Sequence, residues 1–287
     1  MAEGIAVKKK QKVSVPFDYD KYLRKGKLPH IWCPGCGHGI VLKSLLRAID
    51  KIGLDKSSIC MTSGIGCSSR TPGYVDFNTF HTLHGRALAY ATGIKLARPE
   101  LNMIVTTGDG DALAIGGNHF IHACRRNIDM TVIIYSNSIY GMTGGQVSPT
   151  TPDGAMSTTS PYGNMEPAFD ACAVAEAAGA SFVARSTAYH MQELEKILKA
   201  AIEHKGMSIV EVIDSCPVYF GRQNKYKSAS QMMEQIEKGG TVSVAQAKNL
   251  SPEELEGKHV RGILKQTERA EYCEEYGKLM DRARGKG

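Results

Sequence analysis

Apolar residues recur at Val41, Leu45, Ile49 and Ile52, spaced by four, four and three, so residues 38–52 are expected to form a helix with one buried face. Strand-like runs follow at Ser58–Thr62, Met103–Thr107, Thr131–Tyr135, Phe182–Arg185 and Ser208–Ile213, separated by helical patterns at about 85–97, 115–126, 168–179 and 190–204. Strands alternating with helices predict an α/β fold: a mostly parallel sheet covered by helices on both faces, with ligands gathered at the carboxyl ends of its strands. The stretch from Thr143 to Pro167 is rich in Gly, Thr, Ser and Pro and too long for a plain connection, which marks it as functional. After Ile213 the periodicity weakens, and from Pro252 onward eight acids and eight Lys/Arg are interspersed. That tail reads as an exposed helical extension wrapping another chain or the domain itself. The expected organisation is a basic arm over 1–28, an α/β domain over 29–225 and a C-terminal extension over 226–287.

With 287 residues and 42% hydrophobic content, the chain can bury one large α/β domain, or a domain with extensions, and is not disordered as a whole. Its first seven residues lack an apolar signal-peptide core, and no window offers the roughly 18 uninterrupted apolar residues of a membrane span, so a soluble cytoplasmic protein without membrane attachment is expected. The net charge of +6 is uneven, since residues 1–27 hold eight Lys/Arg against three Asp/Glu. Such an arm is either a solvated extension or a dock for an acidic partner. A nucleic-acid partner is not expected, because no base-reading or stacking element stands out near the basic segment.

The chemistry lies where strands feed loops. Met103–Thr107 runs into Gly108-Asp109-Gly110-Asp111, and Thr131–Tyr135 runs into Ser136-Asn137-Ser138-Ile139-Tyr140-Gly141. Glycines let backbone amides approach a diphosphate, while Asp109 and the Asn137 side-chain carbonyl offer hard oxygen ligands to Mg²⁺. A dinucleotide competes for a glycine-rich turn, but the third glycine of that fingerprint is missing and Asp109 would repel a pyrophosphate without an intervening cation. Gly141, Met142 and Thr143 continue the loop in Tyr140-Gly141-Met142-Thr143-Gly144-Gly145-Gln146, suited to wrapping the diphosphate end of a cofactor. His81-Thr82-Leu83-His84-Gly85-Arg86 is expected to open a helix and bring imidazole and guanidinium groups to an anion. For His81 an interior hydrogen-bonded role and a cofactor role both stay open, and His84 is the favoured candidate.

Eight cysteines without a secretory signal argue for ligation or burial over disulfides. Cys60, Cys124 and Cys172 lie in apolar stretches and read as small hydrophobes, and Cys273, in the charged tail, as incidental. Cys33 and Cys36 share the turn Cys-Pro-Gly-Cys-Gly-His-Gly, Cys67 follows Gly64-Ile65-Gly66, and Cys216 lies just past a strand. These four complete a metal site that could hold zinc or a [4Fe–4S] cluster, and ligand type alone does not separate the two.

Taken together, these motifs resemble the beta subunits of the 2-oxoacid:ferredoxin oxidoreductases, most closely the 2-oxoglutarate type. The resemblance runs from about Trp32 to Asn224 and includes His-Gly-Arg-Ala, Ile-Tyr-Gly-Met-Thr-Gly-Gly-Gln and Cys-Pro-Val-Tyr-Phe-Gly-Arg. It implies a thiamine-diphosphate-binding fold, with Ile65, Gly66, Ser68, His84, Gly108, Asp109, Gly110, Asp111, Asn137, Ile139, Gly141, Met142 and Thr143 around the cofactor. It implies further that Asp109, Asn137 and the Ile139 carbonyl hold Mg²⁺, and that Cys33, Cys36, Cys67 and Cys216 hold one [4Fe–4S] cluster. Arg70 would meet the substrate carboxylate, and His84 would join it in catalysis. The implied reaction is reversible, coenzyme A-dependent oxidative decarboxylation of 2-oxoglutarate to succinyl-CoA and CO₂. Electrons would pass to a ferredoxin, and a partner alpha subunit would complete the site in a higher alpha–beta oligomer. A pyruvate-specific enzyme is the alternative within the family, and a zinc-stapled, non-catalytic binding protein the alternative outside it.

Overall fold

In the computed structural model, residues 16–285 apart from Gly239 are described. Of the eight basic residues of the expected arm, Lys8, Lys9, Lys10 and Lys12 lie outside the described residues, while Lys21, Arg24, Lys25 and Lys27 belong to a segment that packs on the domain through buried Tyr22. Helix α1 (His38–Ile52) forms where the apolar spacing predicts it. Val41, Leu45 and Ile49 are fully buried, and Gly53 ends the helix in the left-handed region at φ 80°. Burying each of those side chains stabilises the fold by roughly 1.5–3 kcal/mol.

The body alternates strand and helix: β1 (Ile59–Ser63), β2 (Asn78–His81), α2 (Ala87–Ala97), β3 (Asn102–Gly108), α3 (Gly117–Arg126), β4 (Met130–Ser136), α4 (Ala171–Ala178), β5 (Phe182–Thr187), α5 (Met191–Glu203) and β6 (Met207–Ile213). There follow α6 (Ala229–Lys238), β7 (Thr241–Ser243), the single-turn helices α7 (Val244–Ala247) and α8 (Pro252–Leu255), β8 (His259–Gln266) and α9 (Tyr272–Ala283). The strands make one sheet in the order β2-β1-β3-β4-β6-β5-β8-β7. Every pairing is parallel except that of β8 with β5.

Strand alternation divides the core in two. On β4, Ile133 and Tyr135 point to the layer holding α1 and α5, while Met130, Val132 and Ile134 point to the layer holding α2, α3 and α4. A sheet covered on both faces explains why the central strands read as continuous apolar runs. The expected fold class is therefore the observed one.

Two local expectations need correction. His81 closes strand β2, paired alongside Ser63, and the helix begins only at Ala87. The tail is helical in α6 to α9 but also supplies β7 and β8 to the sheet. It packs on the domain itself: Glu271 caps α9 and accepts the Asp129 backbone N–H at 3.0 Å, which buries Cys273 against the α2–α4 layer. Arg185 of β5 ties the same region together. It donates to Glu211 of β6 at 2.7 Å, to Asp170 at the start of α4 at 2.5 Å and to the Val260 carbonyl of β8 at 3.3 Å.

Candidate functional site

The carboxyl ends of β1, β3 and β4 open into a cavity of about 150 Å³. All thirteen residues expected around the cofactor line it, together with His38, Cys67, Tyr135 and Tyr140. Glycine is needed at Gly110, where a Cβ would lie 2.2 Å from the Tyr140 ring, and at Gly64, where it would lie 2.1 Å from Asp111 Oδ2.

Asp109 is the buried acid of this cavity. Its Oδ1 accepts the Gly110 N–H at 2.8 Å, and its Oδ2 accepts the Ser138 N–H at 3.0 Å, the Ser148 hydroxyl at 2.9 Å and the Thr150 hydroxyl at 2.5 Å. Burial nonetheless pushes its carboxyl pKa up, against the opposing pull of those donors. Among the described residues no cationic side chain offsets the Asp109 charge, and a divalent ion would supply that counter-charge. Asn137 lines the same cavity, and the Ile139 carbonyl accepts no hydrogen bond from the described residues. Between them Ser138 adopts φ 62°, a left-handed turn that serine seldom takes and that strained sites retain. The donor set is thus hard oxygen throughout and fits Mg²⁺.

Asp111 has another task. Its Oδ1 accepts from His84 Nδ1 at 2.6 Å and the Gly85 N–H at 2.7 Å, and more weakly from the Ile65 N–H at 3.4 Å, while Oδ2 accepts from the Thr107 hydroxyl at 2.7 Å. One carboxylate therefore ties two of the loops around the cavity to the end of β3 and leaves His84 Nε2 as the ring nitrogen available to a ligand. His81 falls outside: it bonds the Ser63 hydroxyl at 3.0 Å, and burial together with Arg70 and Arg24 lowers its pKa.

Across Gly141 lies a second cavity, of about 90 Å³, lined by Cys33, Cys36, Cys67 and Cys216. A Cβ on Gly141 would stand 3.5 Å from Cys67 Sγ and 3.7 Å from Cys216 Sγ, so the loop closing the first cavity also walls the second. Desolvation raises the thiol pKa values of Cys36, Cys67 and Cys216, that of Cys67 to about 11, and repulsion between the cysteines adds to the rise. Nearby backbone N–H groups, of His38 for Cys36 and of Tyr219 and Phe220 for Cys216, offset part of that rise. Four clustered thiols that repel one another as anions, with backbone N–H groups nearby, fit a cationic iron–sulfur centre.

Two connections that no local pattern announces hold this ring. His38 Nδ1 lies 2.5 Å from Asp214 Oδ2 with both side chains buried, joining the Cys36 segment to the Cys216 segment. Gly37 makes room for that pair, because a Cβ there would fall 1.8 Å from Asp214 Oδ1. The Trp32 indole N–H donates to the Cys67 carbonyl at 2.7 Å. Arg70 lines the cysteine cavity, not the cofactor cavity, and its buried Nε has no partner among the described residues. Sequence reasoning also misses Ser148 and Thr150, although the composition of their long loop singles that loop out.

Residues 64–212 match the family described as thiamine pyrophosphate enzyme, C-terminal TPP binding domain. The chain is 50% identical over 268 residues to the 2-oxoglutarate synthase subunit KorB of Methanothermobacter marburgensis, covering 93% of this chain and 94% of that one. It is 50% identical over 262 residues to the same subunit of Methanocaldococcus jannaschii, covering 91% and 97%. Among solved structures it matches a 2-oxoglutarate:ferredoxin oxidoreductase from Magnetococcus marinus, with 2-oxoglutarate, coenzyme A and succinyl-CoA bound, at TM-score 0.82 and 34% identity over 93% of this chain and 91% of that one. Among the described residues no helix is long and apolar enough to cross a membrane.

Proposed function

The chain belongs to the beta subunits of the 2-oxoacid:ferredoxin oxidoreductases, and from that premise we propose that it is the thiamine-diphosphate-binding subunit of a 2-oxoglutarate:ferredoxin oxidoreductase. The reaction is the reversible, coenzyme A-dependent conversion of 2-oxoglutarate to succinyl-CoA and CO₂. The observation that carries this reading is the shared wall at Gly141, which sets a hard-oxygen diphosphate site against a four-thiol site. Thiamine diphosphate supplies the nucleophile and electron sink for decarboxylation, and a [4Fe–4S] cluster accepts single electrons.

The chain's own residues do the positioning. Asp109, Asn137 and the Ile139 carbonyl hold Mg²⁺ on the diphosphate. Gly108 and Gly110 let the backbone close on it, and Ile65, Gly66, Ser68 and Thr143 line its flanks. Met142, 42% exposed at the cavity mouth, offers an apolar face to the cofactor. Asp111 orients His84 toward the cavity, and Cys33, Cys36, Cys67 and Cys216 hold the cluster. Arg70 stands at the cysteine side with an unused buried N–H, suited to a carboxylate arriving over Met142.

An alpha subunit completes the active site, in keeping with the exposed apolar side chains Ile65 and Met142 that line the cavity and Leu83 beside His84. Further alpha–beta pairing and a ferredoxin acceptor belong to the same reading. So does a cytoplasmic location, supported by eight free cysteines.

The test is anaerobic purification with the alpha subunit, followed by coenzyme A-dependent viologen reduction with 2-oxoglutarate and with pyruvate. The complex should be brown, give a cluster signal in electron paramagnetic resonance on reduction by substrate, and turn over 2-oxoglutarate faster. Faster turnover of pyruvate would reassign the substrate, and a colourless protein with stoichiometric zinc would sink the cluster.

A further inference from the structure

The four cysteines are unevenly covered. Cys36, Cys67 and Cys216 are partly buried, while Cys33 is exposed. Leu28, 49% exposed, and Ile31, 67% exposed, precede it, and Ile31 lines the cysteine cavity itself. On the other flank, the turn after Cys216 leads through exposed Arg222, Lys225 and Lys227 into α6. The two flanks meet at the Cys33–Cys36 turn, where the Ala229 side chain packs so close to Gly35 that a Cβ on that glycine would lie 2.3 Å from it.

Charge on both flanks has one sign. No Asp or Glu occurs between Asp20 and Asp50, where Arg24, Lys25 and Lys27 lie, and none occurs between Asp214 and Glu234, where Arg222, Lys225 and Lys227 lie. Among the described residues, Lys25, Lys27, Arg222, Lys225 and Lys227 have no carboxylate within ion-pair distance. Elsewhere Lys56, Lys199 and Lys278 are paired with acids, while Lys43, Lys196, Lys248 and Lys258 stand unpaired but scattered, so what sets this surface apart is five such cations on two flanks that hold no acid. Lys225 even holds a left-handed backbone at φ 60°, where glycine or asparagine would sit at less cost, so something other than backbone geometry favours a lysine there.

We propose that this surface, apolar at Leu28 and Ile31 and rimmed by five unpaired cations, is where an acidic one-electron carrier protein docks to take electrons through the Cys33 edge. The proposal rests on the oxidoreductase reading. Each encounter moves one electron from the reduced centre to the oxidised carrier, with no atom or proton exchanged, so two carriers are reduced per 2-oxoacid. A small apolar centre within a charged rim suits a partner that must arrive fast and leave fast: steering by opposite charge raises the encounter rate, and redox encounters bury less than about 1,200 Å².

The test uses the anaerobic alpha–beta complex carrying both Lys27→Glu and Lys225→Glu, with an acidic ferredoxin and methyl viologen as alternative acceptors. At low salt, kcat/KM for ferredoxin should fall on the order of tenfold or more, and the deficit should shrink as salt rises. Viologen reduction should hold, and Lys278→Glu on α9 should leave both acceptors unaffected. Ferredoxin reduction that ignores the double substitution, while wild type reduces both acceptors, overturns the docking surface and leaves the enzyme standing. Failure of the double variant to assemble with the alpha subunit assigns the surface to that subunit and overturns the proposal. A wild-type complex that reduces neither acceptor removes the oxidoreductase reading and the docking with it.

Discussion

At the diphosphate end of the cofactor cavity, Asp109 and Asp111 each take four hydrogen bonds, drawn from five loops and strand ends. Across Gly141 no comparable set of donors holds the thiols among the described residues, and what fixes their loops is the buried His38–Asp214 pair and the Trp32 indole. The first region is organised by the chain before its ligand arrives, apart from the charge that Asp109 still needs. The second sets thiols against one another and becomes favourable only when a cationic centre joins them. Preorganisation suits a diphosphate that must be placed to a fraction of an ångström, whereas ligation energy itself can draw four cysteines into place.

The two regions should come apart under mutation. The largest effect belongs to Cys216→Ala: viologen reduction should drop roughly 10³-fold or more, about 4 kcal/mol or more in the barrier, with the visible cluster absorbance gone. Thiamine diphosphate binding, followed by calorimetry, should stay within about threefold, and a parallel collapse would mean that the cavities are one unit.

Next comes Asp214→Ala, which strands His38 in the interior. Breaking a buried pair costs on the order of 3 kcal/mol, to be read as a lowered unfolding midpoint and substoichiometric iron, with the diphosphate site largely intact. Asp109→Asn keeps shape but removes charge. Mg²⁺-dependent cofactor affinity should weaken about 100-fold, near 2.7 kcal/mol, while the resonance signal of the chemically reduced cluster is unchanged. The smallest effect tests the long loop: Ser148→Ala or Thr150→Val each removes one hydrogen bond to a charged acceptor, worth about 1.5 kcal/mol, so the Mg²⁺ needed for half-saturation should rise roughly tenfold. Indifference to both substitutions would show that Asp109 is held by its backbone donors alone.

The same contrast governs what could be read from the chain. α1 is legible because its burial is one-sided and its period unmistakable, and the central strands because both their faces are apolar. β2 is not, since Asn78-Thr79-Phe80-His81 lies at an edge and is mostly exposed. Nor is β8, whose burial is only intermediate and whose pairing with β5 slips at Val183/Ala184. In the site, Asp109, Asn137 and the four cysteines sit in compact motifs. Asp214 meets His38 across 176 positions, and Thr150 meets Asp109 across 41, so no window of sequence contains either pair. Local chemistry is visible in sequence, while the contacts that aim it emerge only when distant loops fold to one edge of the sheet.

The antiparallel seat of β8 beside β5 has a consequence for how the protein is made. Until the ribosome has released residues 259–266, β5 presents a bare strand edge, and the Arg185 guanidinium lacks the carbonyl of Val260. A nascent or truncated chain is therefore most open to misassociation with like edges when its catalytic loops are already synthesised. Strand β8 acts as a late seal, so that its own synthesis, not that of the site, licenses the sheet to persist in a crowded cell.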